Sequence, residues 1–138
     1  MRLEVRIKNR SREDLRSRCP QLPDLPDLSE WEGNKEIAEL ELWRIHHMAQ
    51  VCLIFLDGSD HQLLYERASD LYVKVISKEE LYRRRVRPLL KSCAAWWEIP
   101  RLYPLLYEID GYLQRMLEWA RDLWLYAYCA AGRNGGAR

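Results

Sequence analysis

The chain has 138 residues, 48% of them apolar and 31% charged, which suits one folded domain with a real core and excludes a disordered chain. Its net charge of +1 hides uneven zones, +4 over residues 1–18, −6 over 19–42 and +4 over 77–101, and local zones decide partners. There is no run of about 18 or more apolar residues, no recognisable signal peptide, and no zinc-type spacing among Cys19, Cys52, Cys93 and Cys129, so we expect no membrane span and a reducing compartment such as the cytoplasm.

In chain order, Arg2 to Lys8 alternate, with Leu3, Val5 and Ile7 on one side, a strand pattern. A lone strand cannot satisfy its backbone groups, so it needs a partner within the chain or from another copy. Ser11 can cap a short helix through Arg18, with Glu13 and Asp14 in its first turn. Prolines at 20, 23 and 26 then forbid helix and favour an extended, acidic connector. Leu22, Leu25 and Leu28 recur every third residue there, so one edge can lie along an apolar groove.

Asn34 can cap a helix over 35–56, with Ile37, Leu40, Trp43, His47, Met48, Val51, Ile54 and Phe55 in a wide apolar stripe. Ser59 with Gln62 marks a helix over 60–75, whose inner face is Leu64, Ala68, Leu71 and Val75. Ser77 with Glu80 repeats that signature for a helix over 78–98. In this third helix Tyr82, Val86, Leu89, Cys93 and Trp97 share one side, while Arg84, Arg87 and Lys91 lie opposite and Arg83 and Arg85 flank them. Pro88 should bend it or break it near Arg87. The last helix spans 104–131, with Leu105, Ile109, Tyr112, Met116, Ala120, Leu123 and Ala127 on one face and Gly132 as its left-handed close. Its final third is apolar nearly all round, so more than one neighbour should cover it. Cys52, Cys93 and Cys129 sit in apolar helical stretches and should be buried thiols.

The predicted class is therefore all-α: a four-helix bundle over 35–132, an N-terminal arm over 1–34 with one short strand, and a disordered tail over 133–138. Short connections favour antiparallel neighbours. The competing pattern makes 51–57 and 71–76 strands of a small α+β domain.

No catalytic motif appears. Glu36 and Glu39 form one Glu-x-x-Glu, but no second acidic pair answers it. His46 and His47 point to different faces, and His47 on the apolar stripe suits a core residue. A nuclease-type acid two residues before Lys74 is replaced by Tyr72. The sequence thus predicts a non-enzymatic protein with no catalytic residue, no metal and no cofactor.

What remains is basic charge. Arg83, Arg84, Arg85, Arg87 and Lys91 form a helical ridge, and Arg2, Arg6, Lys8, Arg10, Arg12, Arg16 and Arg18 a basic arm. Such clusters hold phosphate backbones without reading bases. Arginine, which outnumbers lysine seventeen to five, grips phosphate through a planar fork. Six Trp and eight Tyr against one Phe favour contact surfaces. Leu3, Val5, Ile7, Leu22, Leu25, Leu28, Trp124, Tyr126 and Tyr128 are the candidate subunit contacts.

With its arm over 1–34, its helical bundle and its Arg- and Tyr-rich composition, the chain resembles the coat proteins of filamentous archaeal viruses. The resemblance implies a virion subunit whose arm arginines and 83–91 ridge meet DNA phosphates. The function expected is a structural subunit that self-assembles and binds nucleic acid, duplex DNA foremost, without sequence preference. A helical protein–protein adaptor, or a small subunit of a larger complex, is the alternative. A metal-dependent bundle enzyme ranks last.

Overall fold

A computed structural model describes residues 12–136, the side chains of Cys93 and of residues 133–136 excepted. The strand predicted over Arg2–Lys8, with Leu3, Val5 and Ile7, and the Ser11 cap lie outside the described residues. All regular secondary structure among the described residues is helical, with no strand. The stretches 51–57 and 71–76 of the α+β pattern are helical apart from Asp57.

Helix α1 covers residues 12–18. It does not stand off the bundle. Leu15 is buried, and its carbonyl accepts a 2.6 Å hydrogen bond from the Trp119 indole. Arg18 reaches Asp122 at 3.3 Å, and Arg16 pairs with Asp57. The proline-rich connector then runs along the bundle, with Leu25, Leu28 and Trp31 against the core. The Trp31 indole donates to Glu98. Gly33 passes so close that an added Cβ would stand 2.6 Å from Leu90 Cδ2, so a side chain there would push connector and bundle apart.

The expected helix 35–56 is two helices, α2 (Asn34–Ala38) and α3 (Leu42–Leu56). Asn34 is the first helical residue and its side chain makes no cap. No glycine or proline marks the break. It falls at Glu41, whose φ of 50° is left-handed, a conformation costly for a side-chain-bearing residue. Leu40 and Leu42 are both buried, although a continuous helix would point them about 200° apart. The break lets both face inward. It is fastened from α4 (His61–Leu81): Lys74 and Lys78 lie 2.9 and 3.1 Å from Glu41 Oε1, and Lys78 donates to the freed carbonyl of Glu39 at 2.7 Å.

Hydrogen bonds from Lys74 and then Lys78 hold the Glu41 carboxyl down from 4.5 to about 2. A depressed folded-state pKa means that its stabilisation is fully present above the ordinary carboxylate range and fades as pH falls toward about 2. We expect Glu41→Gln to melt at a lower temperature than the parent at neutral pH. The gap should close as the buffer is taken from 4.5 toward 2. A gap that does not change with pH would show that the clamp is not electrostatic.

On α3 the buried residues are Leu42, Ile45, Ala49, Cys52 and Leu56, none of them in the predicted stripe, because the break at Glu41 resets the face carried over from Ile37 and Leu40. Trp43, His47 and Ile54 lie on the opposite face and are exposed, so His47 is not a core residue. Asp60, not Ser59, caps α4, its carboxylate accepting from the Leu63 amide at 3.0 Å. A charged cap suits the positive helix end better than a hydroxyl. The inner face Leu64, Ala68, Leu71 and Val75 is buried as the spacing predicts.

The break expected at Ser77 does not occur. α4 continues through a π-helical turn, Tyr82–Val86, into α5 (Arg87–Cys93). The Ser-x-x-Glu pattern can cap a helix only where one begins, and Lys-Glu-Glu-Leu after Ser77 are good helix formers. The last helix, α6 (Ile99–Gly136), starts before Pro104, which sits inside it, where burial of Leu102 rewards the extra turn. It runs through Gly132 to Gly136, and Gly132 is not left-handed. The face Leu105, Ile109, Tyr112, Met116, Ala120, Leu123 and Ala127 is buried. The final third is covered on one side, since Leu125 and Tyr128 remain exposed.

α4 packs against α3 on one side and α6 on the other. The pairs Ser69–Trp124, Arg87–Asp110 and Lys91–Tyr103 show that α6 runs antiparallel to α4 and α5. α1 bridges the end of α3, through Arg16 and Asp57, to α6, through Leu15 with Trp119 and Arg18 with Asp122. No helix among the described residues is long and apolar enough to cross a membrane.

Candidate nucleic-acid groove

The site grows from Pro88. Without an N–H, proline cannot close the turn before it, and the chain answers with a π turn in which the Arg87 amide bonds to the Tyr82 carbonyl five residues back. A π turn carries one extra residue, so it resets which side chains share a face. The buried row becomes Tyr82, Val86 and Leu90 rather than Tyr82, Val86 and Leu89, and Leu89 and Trp97 are exposed. The basic row changes with it. Arg83, Arg87 and Lys91 line one groove, whereas the sequence had placed Arg84 in that row. Arg84 instead pairs with Glu80 at 3.4 Å, and Arg85 turns toward α2 and Glu39 at 3.7 Å.

The facing wall is α6. Asp110, Leu113 and Gln114 line the groove there, and Tyr103 and Tyr107 continue the stripe of Asp110 and Gln114 toward the start of the helix at spacings of four and three. Lys91 lies over the Tyr103 ring at 5.9 Å. Arg87 Nε is 3.2 and 3.4 Å from the two Asp110 oxygens, and Gln114 lines the far end. The cleft between the walls has a volume of about 540 Å³.

At its floor the buried Tyr82 hydroxyl donates to the Leu106 carbonyl at 3.2 Å. Burial, and then Asp110 beside it, push its phenol pKa well up. It therefore stays neutral and remains a donor. The Asp110 hydrogen bond raises the Arg87 guanidinium further, so Arg87 keeps its positive charge at any ordinary pH. Arg83 pairs with Glu79 at 3.1 Å along its own helix. Both guanidiniums reach solvent, Arg83 at 58% and Arg87 at 36% exposure, and ion pairs near the surface contribute little, so a phosphate can compete for either guanidinium.

The other predicted site residues fall elsewhere. Arg2, Arg6, Lys8 and Arg10 lie outside the described residues. Arg16 and Arg18 are tied to Asp57, Asp14 and Asp122, and Arg12 lies in the same short helix. Of the contact leucines, Leu25 and Leu28 meet the chain's own core, and Leu22 stays exposed. Trp124 is engaged inside the molecule: its indole donates to Ser69 at 3.0 Å, and its ring lies about 6 Å from Tyr65, Tyr72 and Tyr128. Tyr126 is half-buried and Tyr128 exposed.

Burial pushes the Cys19 thiol up to about 11 and that of Cys52 to about 12, which keeps both protonated and unreactive. Cys129, expected inside, is exposed; it follows the buried Ala127 by two positions and so faces outward. Among the described residues no three His, Cys, Asp or Glu side chains converge in a metal-binding group.

Sequence reasoning passed over the α6 wall. Its signal was there: Tyr103, Tyr107, Asp110 and Gln114 interleave with the apolar face without belonging to it. Compared with family models, curated proteins and solved structures, the chain matches none.

Proposed function

We propose that this protein is a non-catalytic subunit that holds nucleic acid by its phosphate backbone and associates with further copies of itself. One observation carries the reading. Three cations, Arg83, Arg87 and Lys91, stand in a row along an open groove, held there only by exchangeable partners near the surface. Such a row fits a chain of phosphates, contacts that carry no sequence information. In the arm, Arg16 and Arg18 make pairs with Asp57 and Asp122 that are as exposed, and as exchangeable, as those of the groove, but they do not line it.

Self-association draws on the apolar side chains left outside, Trp43 and Ile54 on α3 with Val73 on α4. Leu22 and Tyr128 are exposed as well, and the contact residues Leu3, Val5 and Ile7 read from the sequence lie outside the described residues. In this reading the protein is the repeated unit of a nucleoprotein particle, a virion if the coat-protein resemblance holds. The adaptor alternative loses part of its support, because the edge of the proline-rich segment meets the chain's own core at Leu25 and Leu28.

The test is the salt dependence of binding to two oligonucleotides of unrelated sequence. We expect equal affinities, and a plot of log K against log salt with a slope of about −2 to −3, since each phosphate contact contributes about 0.7–0.9. A flat plot, or a strong preference for one sequence, would contradict the proposal.

A further inference from the structure

Four large aromatic side chains near the start of α6 stand in water. Trp96 is 78% exposed, Trp97 64%, Tyr103 50% and Tyr107 76%. The chain has no difficulty burying rings: Tyr82, Tyr112 and Trp119 are all inside. The exposed ones gather at the turn from α5 to α6 and along the first turns of α6, where Lys91 lies over Tyr103 and Trp96 and Trp97 meet edge-to-face at 5.7 Å. The row of cations thus meets an exposed ring where Lys91 lies over Tyr103, and three more exposed rings lie within seven positions of Tyr103 in the chain.

We infer that the nucleic acid this groove takes is single-stranded, its phosphates on Arg83, Arg87 and Lys91 and its bases stacked on Tyr103, Tyr107 and the Trp96–Trp97 pair. The inference rests on the backbone-binding reading above and adds the ligand's form. In a duplex the faces of the bases are already stacked on each other, so exposed rings gain nothing from it. In a single strand every base offers a free face, and stacking on protein aromatics is sequence-tolerant. The geometry fits: the stripe from Tyr103 to Gln114 extends about 16 Å along α6 at 1.5 Å per residue, beside the cationic row, so backbone and bases can be held together.

The experiment uses the full chain and four labelled probes of equal length. They are an oligothymidylate, the same strand paired with its complement, the same backbone lacking its bases, and a polyglutamate peptide. We expect the oligothymidylate to bind about tenfold or more tighter than the duplex and the abasic strand, since losing even one stacked base costs about that much. Tyr107→Ala and Trp96→Ala, both at exposed positions, should remove that preference without changing the salt slope.

Equal or tighter duplex binding would overturn the single-strand assignment while leaving the backbone reading intact. An abasic strand bound as tightly as oligothymidylate would overturn the stacking role in the same way. No binding of any nucleic acid would overturn both readings. Binding of polyglutamate alone would also overturn both, and would mark the groove as a dock for an acidic protein.

Discussion

Trp119→Ala should cost about 3–5 kcal/mol of folding stability, the range for emptying a fully buried aromatic site. Trp119 is among the largest of the completely enclosed side chains. Its ring also joins two parts of the chain that lie 104 positions apart, because its indole N–H donates to the Leu15 carbonyl at 2.6 Å. Removing it leaves a cavity in α6 and strips α1 of a central anchor. Trp119→Phe separates the two effects. It keeps most of the apolar volume, gives up the indole donor, and should cost about 1–3 kcal/mol for the carbonyl left unpaired. Denaturant melts read the total. Limited proteolysis at Arg16 and Arg18 reads the anchor, and both variants should be cut faster than the parent. A Trp119→Ala protein as stable as the parent would show that α1 does not rest on α6.

How far this arrangement can be read from the sequence depends on the reach of the forces involved. The face of α6 from Leu105 to Ala127 and the α4 stripe from Leu64 to Val75 follow from periodicity, because burial acts on whole helical faces. The break at Glu41 could not be read that way. It has no glycine or proline, and is held by Lys74 and Lys78, more than thirty positions away. The capping pattern at Ser77 misled for a related reason. Such a pattern is a local preference worth about 1 kcal/mol, and the buried row on either side of it keeps the helix going.

The groove was half legible. The arginine run was plain, and Pro88 announced a disturbance. What followed from Pro88 was a π turn rather than a kink, and it changed which arginine shares a face with Arg87 and Lys91. Exposure of Trp43 and Ile54 was illegible for the opposite reason. On an α3 buried by a narrow stripe, apolar residues can lie outside it, and only the packing says which do.

The second large effect is on binding. Replacing Arg83, Arg87 and Lys91 together with Gln should weaken nucleic-acid binding about 10²- to 10³-fold at 0.1 M salt, since three phosphate contacts are lost. Glutamine keeps side-chain length and polarity while removing the charge. The fold should survive, because Arg83 and Arg87 make pairs near the surface and Lys91 is exposed. A matched control replaces Arg84 and Arg85, which belong to the same run but lie outside the groove. It should leave most of the binding in place, which tells a site from a diffuse field of charge.

The decisive measurement is therefore the slope of log K against log salt for the parent and the triple variant, side by side, with circular dichroism showing both folded. If the row along α5 holds phosphates, the variant's slope should be shallower by about 2 to 3. Equal slopes in the two folded proteins would mean that the phosphates are held somewhere else on the molecule.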